Sequence, residues 1–523
     1  MSRSEDLEKL ENELYDVLII GGGINGAVSA AALSARGQKV ALLDKGDFAS
    51  MTSQESSNMI WGGIKYLESR EFSLVRELCH SRNQLMKAYP NRVREITYYT
   101  SLFEGNAHGP LVSFAGAELY WLMGSYFTCA PQYKSVRAIR HELPQIRRKG
   151  LLGGVAYSDA YLPDNDARFT TQFIFDAQDR GAVTMNYCEV EACERAEEEW
   201  RVRAKDILTC QELKIRAKKL VNACGPLLDE VNNKNSLSCQ ERIVYSKGVH
   251  LTVPRLNGHD KILTFFSDDK RLFFVLPMGP VSCIGTTDTR LEKYEREVTD
   301  FDRLFILRNI NSRLDLPRPL KLDDIIAERC GVRTLIADGD EEDWIRLSRK
   351  HVIEYDEIKQ VVNIIGGKLT NCLNIGEEMI ELLAEESEAN ESWYGEPNSD
   401  EQNRFQGLCE EIGLELLIRD GIDAAGPRLW RRYGLGAFEV LEMIKKDREL
   451  GREMIEGTGF LAAEIHYLKV HEKIVKLDDF LRRRTKIALI KKREELAVSP
   501  GLKEACEILF GDEAELQWKE YFN

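Results

Sequence analysis

At 523 residues the chain is too long for a single hydrophobic core, and two or three domains with ample burial are expected. Hydrophobic residues at 43% and charged residues at 30% describe an ordinary globular protein. A formal net charge of -15 argues against nucleic acid as a partner and leaves any contact with anionic lipid to a local basic or apolar patch. The twelve cysteines form no C-x-x-C pair and there is no H-E-x-x-H, so reduced structural thiols and no metal site are expected. The N-terminal stretch MSRSEDLEKLENEL is charged and amphipathic, unlike a signal peptide or a membrane span, and the expected residence is the cytoplasm.

The first informative stretch runs from Tyr15 to Asp44 and reads as strand, glycine turn, small-residue helix, strand and acid. Its turn fits G-x-G-x-x-G at Gly21, Gly23 and Gly26, with Gly22 and Asn25 inside the same turn. Those glycines serve a tight bend, close approach of backbone to a pyrophosphate and close packing of helix on strand. The helix that follows directs unpaired N–H groups at phosphate, and Asp44 is placed to accept from a ribose hydroxyl. Dinucleotide binding is the reading. A packing-only glycine turn leaves Asp44 unexplained.

Past Asp44 a Ser/Thr-rich segment containing Ser57 leads to Gly62, Gly63, Lys65 and Tyr66. Small residues and a glycine pair permit close approach to a flat ligand, with Lys65 as a point charge beside it; a polar helix start reads equally well. Residues 71–90 have helical spacing. The stretch from His108 to Pro131 is the most apolar and aromatic in the chain, too mixed with Gly and Glu118 to span a bilayer. A buried cap helix is the favoured expectation there, and a surface dipping into a membrane interface is the other.

Alternating strands and a helix follow to residue 226, ending in Ala-Cys-Gly-Pro, where Gly225 offers a second close backbone approach. Residues 240–350 switch to period-two strands separated by turn residues, which predicts an inserted antiparallel sheet, with a helix over Asp300–Leu314. The chain returns at Gly366, Gly367, Lys368, Leu369 and Thr370, a glycine loop at a helix start. After a polar linker around 386–403 it is helical to the end, and the basic run Arg482–Arg484 reads as a solvated or salt-bridged face.

Taken in order, IGGGINGA, SSNMIWGGIKYLE, YSDAYLPDNDAR, VNACGP, KGVHLTVP, IGTTDT, GVRTL, IGGKLT, RRYG and HEKIVKLDDFLRRRT resemble the FAD-dependent, respiratory glycerol-3-phosphate dehydrogenases. The likeness covers nearly the whole chain. It implies FAD rather than NAD and an α/β fold. A discontinuous Rossmann-like FAD-binding domain (1–90, 150–240, 351–388) would carry an inserted antiparallel-sheet substrate or cap domain (91–149, 241–350), followed by a helical domain (400–523). The chain departs from the family pattern at Trp61, which replaces a histidine, at Lys65, which replaces an arginine, at Cys224, which replaces a threonine, and in two extra residues after Tyr-Ser-Asp.

The implied reaction is oxidation of sn-glycerol 3-phosphate to dihydroxyacetone phosphate by hydride transfer to the flavin, with electrons passed to a quinone. Motif matches place Arg333 and Arg349 as substrate-side cations, Lys65 and Tyr66 as substrate contacts, Lys368 at the boundary of flavin and substrate, and His250 as candidate base. Arg333 is also a candidate for orienting the hydroxyl, and an ordinary structural histidine remains the bland reading of His250. The resemblance leaves room for peripheral contact with the cytoplasmic face of an inner membrane through 109–131, and for a homodimer. The rival readings are a glycerol-3-phosphate oxidase that reduces oxygen, and a flavin-binding protein without glycerophosphate turnover.

Overall fold

The computed structural model describes residues 3–256, 258–267, 270–337, 350–384, 392–414 and 423–523. These residues form two sheets and a helical region. The first sheet runs in the order Val352–Asp356, Val361–Ile365, Glu212–Asn222, Leu14–Ile20, Val40–Leu43, Val183–Met185, and the hairpin Cys188–Ala196/Glu199–Asp206 joins it along Glu212–Asn222. Its centre is parallel: Leu14–Ile20 pairs in parallel with both Glu212–Asn222 and Val40–Leu43. Val17, Leu18 and Ile19 are fully buried, as a central strand covered on both faces requires.

The helix Ile24–Ser34 lies on this sheet and is buried at every position from Asn25 to Ser34. Alanines make that depth feasible, and Gly26 sets it: a Cβ there would stand 1.9 Å from the Gly21 carbonyl oxygen. Helices Asp166–Asp179 and Cys372–Leu383 complete the same layer, with Phe173, Ile375 and Trp393 in its core.

The second sheet is mostly antiparallel and ten-stranded. Ile243–Pro254 is its organising strand, flanked by Val281–Gly285 and Ala327–Ile336, with His250 opposite both Gly285 and Arg329. Arg94–Phe103 and Leu151–Tyr161 belong to it as well. The domain boundary expected at residue 150 assigns Leu151–Tyr161 to the nucleotide-binding part, yet its hydrogen bonds run to Arg94–Phe103. A strand's sheet is chosen by its partner, which alternation in sequence does not name. Likewise the short strand Met59–Ile60 pairs with Leu151–Tyr161, away from the first sheet.

The helix expected over 300–314 spans Asp300–Arg313 and starts in a Thr299/Asp302 capping box. The described residues from Ser399 onward form helices around a core of their own that includes Leu429, Trp430, Ile465, Phe480 and Leu502.

The apolar stretch near residue 110 forms the helix Pro110–Met123, of which only Ala117 and Tyr120 are buried. Leu111 is 73% exposed and Val112 60%, so the expected buried cap helix is instead a surface helix with an apolar face. The run Arg482–Arg484 is salt-bridged, the second of the two alternatives expected, and it is buried rather than solvated. Arg349 lies outside the described residues.

Candidate functional site

A cavity of about 1730 Å³ lies between the two sheets, lined by Gly21, Asp44 and Gly225 from one side and by Tyr157, His250 and Arg333 from the other. At the nucleotide side, Gly21 has φ +105° and lacks room for a side chain, since a Cβ would meet the Ala223 carbonyl oxygen at 2.7 Å. The Ile24 amide at the helix start donates to the Ser53 hydroxyl (2.9 Å). Asp44 accepts from the amides of Gly22 (2.7 Å) and Gly46 (2.8 Å) and still lines the cavity. Burial pushes its carboxyl up to about 6, against the pull of those two N–H groups.

The expected site residues fall into three groups. Gly21, Gly23, Asn25, Asp44, Ser57, Lys65, Tyr66, Gly225, His250, Arg333, Gly366, Gly367, Lys368, Leu369 and Thr370 all line this one cavity. Gly22 and Gly26 sit behind the turn, Gly22 against Phe48 and Gly26 against Gly21. Gly62 and Gly63, expected to let the backbone approach the ligand, do not themselves line the cavity and pack behind the residues that do. A Cβ on Gly62 would meet the Tyr120 hydroxyl at 2.2 Å, and one on Gly63 would meet the Tyr66 ring at 2.5 Å. Their smallness lets the wall close behind Trp61, Lys65 and Tyr66. The Gly62 amide donates to Asp159 (3.3 Å), which also takes Arg82 (2.8 Å) and the Tyr120 hydroxyl (2.6 Å).

Trp61 lines the cavity with its ring 6.2 Å from both Tyr66 and Phe274. Its backbone is bonded to the Thr370 hydroxyl (3.0 and 3.2 Å), which joins the glycine-pair segment to the Gly366–Thr370 loop. Lys368 Nζ stands 4.2 Å from the Tyr66 ring centroid and Lys65 Nζ 5.3 Å, so two ammonium groups lie against one aromatic ring. Asn25 donates to the Gly366 carbonyl (3.0 Å), holding the loop over the helix start.

On the opposite side His250 is buried, and its Nδ1 has no hydrogen-bond partner among the described residues. Burial, with Arg333 and Arg329 adding repulsion, lowers its pKa to about 3, so the ring is neutral. Arg333 extends beside Gly248, where a Cβ would meet its guanidinium at 2.5 Å, and lies 3.8 Å from Asp288.

Among the cavity residues not singled out from the sequence are Arg271, Thr286 and Asp288. The motif IGTTDT contains the last two, and an acid following paired threonines at a strand end was the available signal. Arg271 sits in a turn with no motif around it.

Residues 16–382 match the FAD dependent oxidoreductase family, and residues 398–520 match the C-terminal domain of alpha-glycerophosphate oxidase. The chain is 31% identical over 493 residues to glycerol-3-phosphate dehydrogenase 2 of Mycobacterium tuberculosis, covering 92% of this chain and 82% of that protein. It is 28% identical over 551 residues to the mitochondrial glycerol-3-phosphate dehydrogenase of Homo sapiens, covering 99% and 73%. Among solved structures, the glycerol-3-phosphate dehydrogenase from Bacillus halodurans complexed with FAD superposes with a TM-score of 0.74 at 24% identity, covering 99% of this chain and 96% of that one. The L-alpha-glycerophosphate oxidase from Mycoplasma pneumoniae with FAD bound gives 0.57 at 17% identity, covering 74% and 99%. The glycine turn too tight for side chains, the acid beside it and the long cavity leading to paired lysines fit an adenine dinucleotide whose other end is a flavin. The chain belongs to the FAD-dependent oxidoreductases, in the glycerol-3-phosphate dehydrogenase family with its alpha-glycerophosphate oxidase C-terminal domain, and its cofactor is FAD.

Proposed function

We propose that this chain oxidises sn-glycerol 3-phosphate to dihydroxyacetone phosphate and passes the electrons to a quinone. The observation that carries the reading is the pairing, in one cavity, of a neutral buried imidazole at His250 with the guanidinium of Arg333. A secondary alcohol needs a proton acceptor, and a phosphate dianion needs a cation with a planar fork. Lys65, opposite, adds charge without that fork. FAD, when bound, supplies the acceptor for the hydride leaving the carbinol carbon. His250 takes the hydroxyl proton while Arg333 holds the phosphate, and the Tyr66 and Trp61 rings keep water from the reacting carbon.

One feature supports a lipid-borne acceptor: Val112 and Leu119 of the exposed apolar helix line the same cavity as Lys368, so the cavity reaches an apolar surface. No helix among the described residues is long and apolar enough to cross a membrane.

Mixing the FAD-loaded protein with glycerol 3-phosphate under nitrogen tests the reading. Bleaching of the flavin band is expected, followed by recovery with a short-chain quinone faster than with oxygen. Arg333→Ala is expected to raise the half-saturating substrate concentration about 10- to 100-fold, the worth of a hydrogen bond to a charged group. An unbleached flavin at saturating substrate would remove the proposal.

A further inference from the structure

The C-terminal helical region touches neither end of the cavity directly, yet its buried arginines reach into two segments that line it. Arg483 and Arg484 both bond Asp47, at 2.6 Å through Arg483 Nε and at 2.7 and 2.8 Å through Arg484 Nη1 and Nη2. Asp47 and Arg484 have no exposed side-chain surface. Asp47 belongs to the turn that begins at Asp44. In that turn the Gly46 amide donates to Asp44, Phe48 packs on Gly22, and the Ala49 amide donates to the Gly22 carbonyl (2.9 Å). The position of the ribose-side acid is therefore set from behind by two arginines of another domain.

Arg482 points elsewhere. Its Nη2 donates to Glu55 Oε2 (2.8 Å), and the same oxygen accepts the amide of Cys330 (3.1 Å). The segment around Glu55 is fastened along the strand Ala327–Ile336: the Thr52 hydroxyl donates to the Val332 carbonyl (2.7 Å), and Gly331 leaves room for the Glu55 backbone. The next residue on that strand is Arg333. The substrate-side guanidinium thus stands on a strand whose packing against the 52–58 segment is held by Glu55 and Arg482.

We propose that the helical domain is a two-armed positioning element. Arg484 through Asp47 sets the FAD end of the cavity, and Arg482 through Glu55 sets the end that holds the substrate. Neither arginine is a catalytic residue, since neither lines the cavity. The second arm rests on glycerol 3-phosphate being the substrate; the first does not. A domain that merely adds stability would affect both ends together, because loosening a shared interface relaxes everything packed on it.

The test uses the full-length chain with Arg482→Met and Arg484→Met, and with Arg484→Lys as a milder replacement that keeps the charge. FAD dissociation constants are measured by fluorescence quenching on the FAD-free protein, and substrate half-saturation for bleaching at saturating FAD. Arg484→Met is expected to weaken FAD at least tenfold with substrate half-saturation changed less than twofold, and Arg484→Lys to recover part of the loss. Arg482→Met is expected to raise substrate half-saturation at least fivefold with FAD affinity changed less than twofold. If Arg484→Met does not fold, Arg484→Lys carries the first arm with the same direction of effect. Both parameters moving together in one variant, or neither moving, overturns the proposal. A wild-type flavin that glycerol 3-phosphate does not bleach sinks the substrate assignment, while the FAD arm still decides the role of Arg484.

Discussion

His250 illustrates how far a residue's setting carries it from its ordinary chemistry. Free imidazole titrates near 6.5, whereas burial beside Arg333 and Arg329 brings this ring to about 3. A lowered pKa keeps the ring neutral, and so able to accept a proton, at every pH above about 3, and the same shift makes it a weaker base than free imidazole. We predict that kcat/KM shows no acidic limb from this group between about pH 5 and 8, the range in which an unperturbed histidine would titrate. On the proposed reading a phosphate dianion bound at Arg333 offsets the charge of that residue, and the limb in kcat is then expected at higher pH than the limb in kcat/KM. His250→Asn is expected to slow flavin bleaching by about 10²- to 10⁴-fold, the usual contribution of a positioned base. Stopped-flow pH profiles of both proteins check this, and a limb in kcat/KM near 6.5 that disappears in the variant would contradict it. The motif KGVH singled out the residue; the neighbouring Arg329, which helps keep it neutral, was visible only once strand Ala327–Ile336 was seen to pair with Ile243–Pro254.

At the level of elements, the helix Pro110–Met123 is the instructive one. Its residues are apolar around most of the circumference, so periodicity gives no direction to bury, and burial in a core was the natural expectation. The structure instead inserts one narrow stripe, Ala117 and Tyr120, and anchors it by the Tyr120 bond to Asp159. Leu111, Val112, Leu119 and Leu122 are left facing out. Substituting Leu111→Asp and Leu122→Asp together should therefore leave folding stability within about 0.5 kcal/mol per site, as surface changes do. Co-sedimentation with phospholipid vesicles and the rate of reduction of a long-chain quinone are expected to fall severalfold, with short-chain quinone reduction kept. Equal vesicle binding by the variant would take this helix out of the membrane account, and a large loss of stability would show that its outer face is packed after all.

Across the whole molecule, buried ion pairs join what the sequence presents as separate parts. Asp164 takes Arg431 (2.7 Å) and Arg432 (3.2 Å), Asn165 donates to the Arg482 and Thr485 carbonyls, and Arg168 is paired with Glu472. Asp47, held between Arg483 and Arg484, has its carboxyl lowered to about 2. A lowered carboxylate pKa gives stability that is full above the unfolded value of 3.8 and is lost as the pH falls through about 2. At neutral pH, Asp47→Ala leaves two buried guanidinium groups short of their shared partner, and a loss of about 3–5 kcal/mol is expected, the range for breaking a buried pair from one side. Urea unfolding at pH 7 measures it, and a loss below 1 kcal/mol would mean that Arg483 and Arg484 find other acceptors at little cost.

The glycine turn, the acid that follows it and much of the order of strands and helices are legible in the amino-acid sequence, because they depend on local sterics and on periodicity along the chain. The sequence also supplied the likeness that points to FAD. Only the folded chain settles which glycines line the cavity and which stand behind it, which face of the apolar helix meets solvent, and that a run of three arginines is buried in ion pairs. Each of these depends on groups far apart in sequence. Burial and pairing are properties of where the partners end up, and no spacing along the chain encodes them.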